Sequence, residues 1–152
     1  MTENGGSNGF GTIFKMKTDG TGFQTLFQFG SNVNAQYGAH PKGTLLLGSD
    51  GKLYGMASAG GTGLGGTIFR INTEGTGFSV IFNFNSTTGS FPWASLVEDV
   101  NAGFLFGTTE LGGSSNFGTI FKIKKDGTGY QTLMSFNGTR GKFPYGDLII
   151  VP

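Results

Sequence analysis

The chain contains no cysteine. Disulfides and thiol chemistry are therefore excluded, and the redox compartment is left open. Its only histidine is His40, so zinc, which wants several nitrogen or sulfur donors, has almost nothing to draw on. Charged residues make up 12% of the chain, about half of the usual quarter. The formal net charge is +1 and the longest basic run is Lys124-Lys125. Duplex nucleic acid needs a clustered basic face, and none is present, so no nucleic-acid partner is expected. No apolar stretch approaches the roughly 18–20 residues of a membrane span. The opening Met-Thr-Glu-Asn-Gly-Gly lacks a charged-then-apolar pattern, so no export signal is expected there. No window sustains a helical period.

Aromatic residues and glycine fill the space that charge and helix leave. Aromatics are 14% of the 152 residues, sixteen of them Phe, and there are 30 Gly. That is about a fifth of the chain, against a background of roughly 7%. Disorder needs few aromatics and many charges, so the composition is that of a folded protein of short strands and tight turns. The length suffices for a buried core.

Internal repetition organises these residues. Gly11-Thr12-Ile13-Phe14 recurs as Gly66-Thr67-Ile68-Phe69 and as Gly118-Thr119-Ile120-Phe121, at spacings of 55 and 52 residues. Asp19-Gly20-Thr21-Gly22-Phe23 returns as Glu74-Gly75-Thr76-Gly77-Phe78 and Asp126-Gly127-Thr128-Gly129-Tyr130. Pro41, Pro92 and Pro144 are each followed four residues later by Leu45, Leu96 and Leu148, and Gly51-Lys52-Leu53-Tyr54-Gly55 recurs as Gly103-Phe104-Leu105-Phe106-Gly107. Four strands per unit follow. The first comes after the proline (Thr44–Leu47, Ser95–Val97, Asp147–Val151). The second is Lys52–Met56 or Phe104–Thr108, the third Thr12–Lys17, Thr67–Asn72 or Thr119–Lys124, and the fourth Phe23–Phe29, Phe78–Phe84 or Tyr130–Phe136. Asp50-Gly51 between first and second strands predicts a type I′ hairpin turn, and the Asp-Gly-Thr-Gly links predict longer hairpins with Gly in the left-handed position.

Along the fourth strand Phe23, Thr25, Phe27 and Phe29 share one face, and Leu26 lies on the other between Gln24 and Gln28. Neither face is wholly polar, so each small sheet is expected to have neighbours on both sides. The chain reads as a single repeat domain over 1–152, with units at 1–40 (partial), 41–91 and 92–143, and 144–152 as the first strand of a shared unit. Met1 falls opposite Met56 and Thr108, inside a second strand.

Gly-x-Leu-Tyr-Gly, then Gly-Gly, then Gly-Thr-Ile-Phe and Asp-Gly-Thr-Gly-Phe, resembles the GloVer tandem repeat of bacterial secreted or surface-anchored proteins. The Gly-Gly after the second strand also resembles a kelch-type propeller blade, a weaker match. The GloVer resemblance implies a repeat scaffold without established catalytic residues, and an extracellular or cell-surface location.

Propellers close with four to eight blades. Three blade-equivalents leave open flanks, and exposed edges invite pairing. The expected fold is therefore an all-β propeller of four-stranded blades of about 52 residues, closed as a six-bladed ring by homodimerisation. A β-trefoil monomer, which also uses three four-stranded units, is the alternative.

Little in the sequence carries chemistry. Gly61-Thr62-Gly63-Leu64-Gly65-Gly66 fits a dinucleotide fingerprint, but a strand follows it where the fingerprint needs a helix. Asp19, Glu74 and Asp126 are lone turn acids, expected to cap turns and not to bind calcium. Glu98-Asp99 are strand neighbours pointing to opposite faces, unable to act as an acid–base pair and expected in a solvated turn. Asn85-Ser86-Thr87 and Asn137-Gly138-Thr139 match the glycosylation acceptor pattern, read here as coincidence. The residues flanking the repeated prolines vary while their surroundings repeat: His40 and Lys42, Phe91 and Trp93, Phe143 and Tyr145. Variation on a fixed scaffold is the mark of a binding surface. If the first strand lines a central channel, these six side chains ring its mouth, unless they plug it or pack between blades. No catalytic residue, metal or cofactor is expected. The function that follows is a non-enzymatic, self-associating scaffold for protein contacts or a structural role. A glycan-binding lectin using Trp93 and Tyr145 is the alternative, and a propeller-type hydrolase or lyase stands behind it.

Overall fold

The computed structural model describes residues 1–30 and 36–151. Residues 31–35, within the first repeat unit, and Pro152, in the final segment, lie outside the described residues. Ten strands and no helix occur among those described, so no helix is long and apolar enough to cross a membrane.

Strands β1 (Thr12–Lys15) and β2 (Gln24–Gln28) form a two-stranded antiparallel sheet. β3 (Ala39–Leu47), β4 (Lys52–Ala59), β5 (Thr67–Asn72) and β6 (Ser79–Asn83) form a four-stranded antiparallel meander. β7 (Val97–Asp99), β8 (Phe104–Thr109), β9 (Thr119–Lys124) and β10 (Gln131–Ser135) form a second meander of the same order. These are the first, second and third units. Thr2 bridges Thr12 as Ala57 pairs with Thr67 and Thr109 with Thr119, which puts the N-terminus in a second-strand position. No strand ladder joins one unit to another among the described residues. Each unit keeps its own sheet, unlike a trefoil, which pools its hairpins in one barrel.

The core lies between the sheets. Tyr54 and Met56 of β4 belong to a cluster with Ile68, Phe84, Leu96, Leu105, Phe121 and Ile123, joining the second and third units. Ala57 of the same strand belongs to another cluster with Ile13, Phe29, Phe69 and Ile71, joining the first and second. Neighbouring β4 residues thus serve different cores, because successive side chains of a strand point to opposite faces. Phe rings lock each joint. Phe78 stacks on Phe27 with centroids 3.6 Å apart and planes 2° apart, and Tyr130 stacks on Phe82 at 4.2 Å and 6°.

The joint also explains two repeated residue types. Gly66 has φ +100, and a Cβ there would run into the Ala57 carbonyl and the Pro92 Cδ. Gly11 and Gly118 stand in the same relation to Pro41 and Pro144. The proline of one unit therefore seats on the bare backbone of the unit before it, which only Gly allows.

Four local expectations are corrected. Only Gly51 of the β3–β4 turn has positive φ, with Gly48 N–H bonded to Lys52 O at 2.8 Å and Gly51 N–H to Gly48 O at 2.9 Å. This is a three-residue loop ending in a left-handed Gly, not a type I′ turn. The first strand of the second unit starts before its proline, with Pro41 opposite Ala57; an edge strand tolerates the missing donor. Its counterpart in the third unit is only Val97–Asp99. Asp147–Val151 forms no strand, and Ile149 and Val151 are 80% and 71% exposed, since no strand among the described residues pairs with them.

Candidate functional site

The side chains that follow the three repeated prolines come together. The Lys42 ammonium lies 3.8 Å from the centroid of the Trp93 ring. Trp93 and Tyr145 meet edge to face, with centroids 6.1 Å apart and planes at 89°. Carboxylates flank the row. Lys42 Nζ pairs with Glu3 Oε1 at 2.5 Å, and the Tyr145 hydroxyl donates to Glu110 Oε1 at 2.9 Å. That bond to a carboxylate raises the Tyr145 hydroxyl above its ordinary value of 10, because ionisation would set two negative charges together.

Glu3, Ser58 and Glu110 occupy one repeat position, just past a second-strand Thr or Ala. Sequence reasoning passed over the two glutamates. Their shared register, one unit behind the proline-flanking residues, is the signal that finds them. Ser58 instead donates to the His40 carbonyl at 2.9 Å.

His40, Phe91 and Phe143 do not join the row. All three hold left-handed backbone, at φ 54°, 54° and 55°. Each donates its N–H back to the loop that leads into β1, β5 or β9, to Phe10 O, Gly65 O and Phe117 O respectively, all at 2.9 Å. A residue before proline ordinarily avoids the helical regions, so the bond holds the strained turn in place. His40 packs edge-on against Phe10 at 5.4 Å, its Nδ1 3.0 Å from Asn4 Oδ1. Phe143 packs against Phe117 at 5.7 Å, while Phe91 is 39% exposed.

The acids outside the row are structural. Asp19 and Asp126 cap their turns, each accepting the N–H (2.9 Å) and hydroxyl (2.7 Å) of Thr21 or Thr128. Glu74 reaches Lys15 of the first unit at 2.6 Å. Glu98 is not in a solvated turn. Its side chain is 5% exposed and meets Lys125 Nζ at 2.5 Å, and it accepts the Ser49 N–H and hydroxyl at 2.8 Å each. Burial opposes its charge, but the Lys125 and Ser49 bonds outweigh that and hold its carboxyl below the ordinary 4.5. Glu98 thus ties the β3–β4 turn to the β9–β10 turn. The Gly60–Gly66 loop runs directly into β5.

No three His, Cys, Asp or Glu side chains converge as a metal set would among the described residues. No pocket forms among them either. The row is a surface of one paired ammonium, two partly exposed rings and two carboxylates, suited to stacking and polar contact.

Stacked small sheets, glycine-seated prolines and a surface row drawn from successive units define a β-rich repeat protein of propeller-like architecture. The chain belongs to the Gloeobacter/Verrucomicrobia repeat family, whose pattern it matches over residues 1–151. Among solved structures it is similar to a chain in the crystal structure of a nidogen/laminin complex, with 20% sequence identity and a TM-score of 0.61. The match covers 89% of this chain and 43% of that one, so the chain spans less than half the length of its structural relative. At that identity the likeness shows the fold alone. No curated protein sequence matches the chain.

Proposed function

We propose that this chain is a non-enzymatic repeat scaffold that self-associates into a closed propeller and presents the Lys42–Trp93–Tyr145 row to an extended peptide of a protein partner. The observation that carries the reading is the convergence of three side chains from equivalent positions of successive units, on a backbone that otherwise repeats. Trp93 and Tyr145 are residue types enriched at protein contact surfaces, and Lys42, Glu3 and Glu110 place donors and acceptors beside them. Sugar stacking is less well served, because the Lys42 ammonium already occupies a face of Trp93. Closure by self-association is supported by the apolar flanks, where Phe23 is 64% and Leu133 45% exposed.

The test is a random peptide display library and a glycan array probed in parallel with wild-type protein and Trp93→Ala. Peptides retained by the wild type and lost with Trp93→Ala support the reading. Sugars retained in the same pattern would replace it with a lectin, and ligands indifferent to Trp93 would overturn the site. Light scattering tests the closure: a mass near twice 15.9 kDa is expected, and a monomer at high concentration refutes it.

A further inference from the structure

The two internal joints share a ring stack, a glycine seat and a basic side chain reaching across, and the outer flanks carry the unmatched halves of that set. At the joint of the first and second units, Phe78 packs on Phe27 and Phe29, Gly75 lies against Leu26, and Lys15 pairs with Glu74. At the joint of the second and third, Tyr130 packs on Phe82 and Phe84, Gly127 lies against Ile81, and Arg70 reaches the carbonyl of Lys125, next to Asp126, at 3.5 Å. One repeat further on, the receiving side is Met134 and Phe136, Leu133 and Lys122. All four belong to the third unit, and no further unit lies beside them among the described residues. One repeat earlier, the inserting side is Phe23, Gly20 and Asp19. Phe23 is 64% exposed, and nothing lies within 4 Å of a Cβ placed on Gly20. Leu133 is 45% exposed, and Phe136 is half-buried where its counterparts Phe29 and Phe84 are fully buried.

We infer that the third-unit flank of one copy receives the first-unit flank of a second copy, head to tail, through the same set. The inference rests on the self-association proposed above and names its faces. Phe23 of the second copy lies against Met134 and Phe136, its Gly20 against Leu133, and its Asp19 against Lys122. The basic Lys122 meets the acidic Asp19, as Lys15 meets Glu74 within the chain, and a sulfur–aromatic contact replaces a ring stack. Two such joints related by a two-fold axis close the assembly, which an open head-to-tail contact does not.

The segments that follow the prolines agree. Thr44 N–H donates to Ser95 Oγ at 3.0 Å, and Ser95 N–H donates to Asp147 Oδ1 at 2.6 Å. The next step of that series carries Asp147 N–H to Thr44 Oγ1 of the second copy. It also sets Lys42 of the second copy beside Tyr145. The surface row is therefore incomplete in one copy, and becomes a ring of two lysines, two tryptophans and two tyrosines in the pair.

Asp19→Lys, Lys122→Glu and the double variant are compared with wild type by sedimentation velocity over a concentration series, with circular dichroism as the check on folding. Each single variant puts like charges at both joints and should raise the dimer dissociation constant about tenfold or more. The double variant, or a 1:1 mixture of the two single variants, restores opposite charges at both joints and should return the dimer. Recovery in the mixture cannot come from misfolded chains. A wild-type dimer indifferent to both substitutions would overturn the head-to-tail joint while leaving self-association intact. A wild-type monomer would overturn both, and an open series of higher oligomers would overturn the two-fold closure.

Discussion

Phe84→Ala tests whether stability resides between the sheets. Phe84 is fully buried. Its ring centroid lies 5.2 Å from those of Phe82 and Phe121 and 6.3 Å from that of Tyr130. Truncation removes the apolar transfer term and leaves a cavity walled by three rings fixed on separate strands, which cannot readily collapse. The expected loss is about 3–5 kcal/mol, a third or more of the roughly 5–15 kcal/mol that holds a domain together. Phe136→Ala is the internal comparison: the same repeat position, the same bond from its N–H to a Gly carbonyl at 2.9 Å, but on the open flank. In dilute solution, where no second copy is bound, it should cost no more than about 1–2 kcal/mol, since part of its surface is already in water. Urea unfolding followed by Trp93 fluorescence and circular dichroism reads both, with the denaturant slope as the check that the unfolded reference is unchanged. As protein concentration rises, the Phe136→Ala cost should grow while that of Phe84→Ala stays constant, because assembly links folding to protomer concentration. Equal losses at all concentrations would refute the idea that the flank is an uncovered joint. A loss under about 1 kcal/mol for Phe84→Ala would refute the inter-sheet core.

Further expectations concern the seat of the proline, the buried acid and the surface row. Gly66→Ala should cost more than about 2 kcal/mol, because the left-handed backbone penalises any Cβ and this one meets Ala57 and Pro92; Gly51→Ala, in open space, should cost only about 1 kcal/mol. Equal thermal shifts for the two would refute the seat. Glu98→Gln should lose about 1.5–3 kcal/mol at pH 7, the scale of charged hydrogen bonds, by removing the carboxylate charge that Lys125 and Ser49 bind. Glu98 is held below 4.5 in the folded protein, so its stabilisation is complete above pH 4.5 and fades as pH falls through the folded value. Wild type should therefore approach the variant in stability toward acid, and a constant gap down to pH 3 would contradict this. Lys42→Met removes the ammonium from the Trp93 ring and should change the emission of the only tryptophan; identical spectra would remove the cation–π contact.

The positions of the third and fourth strands were legible because they are local. β5 and β9 run over the residues that alternation and flanking turns marked, and β6 and β10 lie inside the segments expected, since period-2 patterning and Gly-bearing turns act within one hairpin. The same alternation announced sheets covered on both faces, which β4 shows. What lay beyond one hairpin was not legible. Glu98 reads as one of two acids at a strand end; only Lys125, brought from another turn, makes it a buried tie. His40, Phe91 and Phe143 looked like binding residues because they flank a proline and vary. Their left-handed backbone is held by a carbonyl 26 to 30 residues earlier, which no local pattern encodes.

By itself, the sequence determined an all-β repeat of about 52 residues, the third and fourth strands of its units and a family. The tertiary structure decided which of the proline-flanking side chains meet, which acids are buried, and that the cores lie between sheets. The physical reason is range. Backbone preference and alternation act over a few residues, whereas the contacts of Lys42 with Trp93, Trp93 with Tyr145 and Glu98 with Lys125 join positions 51, 52 and 27 residues apart, and exist only once one sheet is stacked on the next.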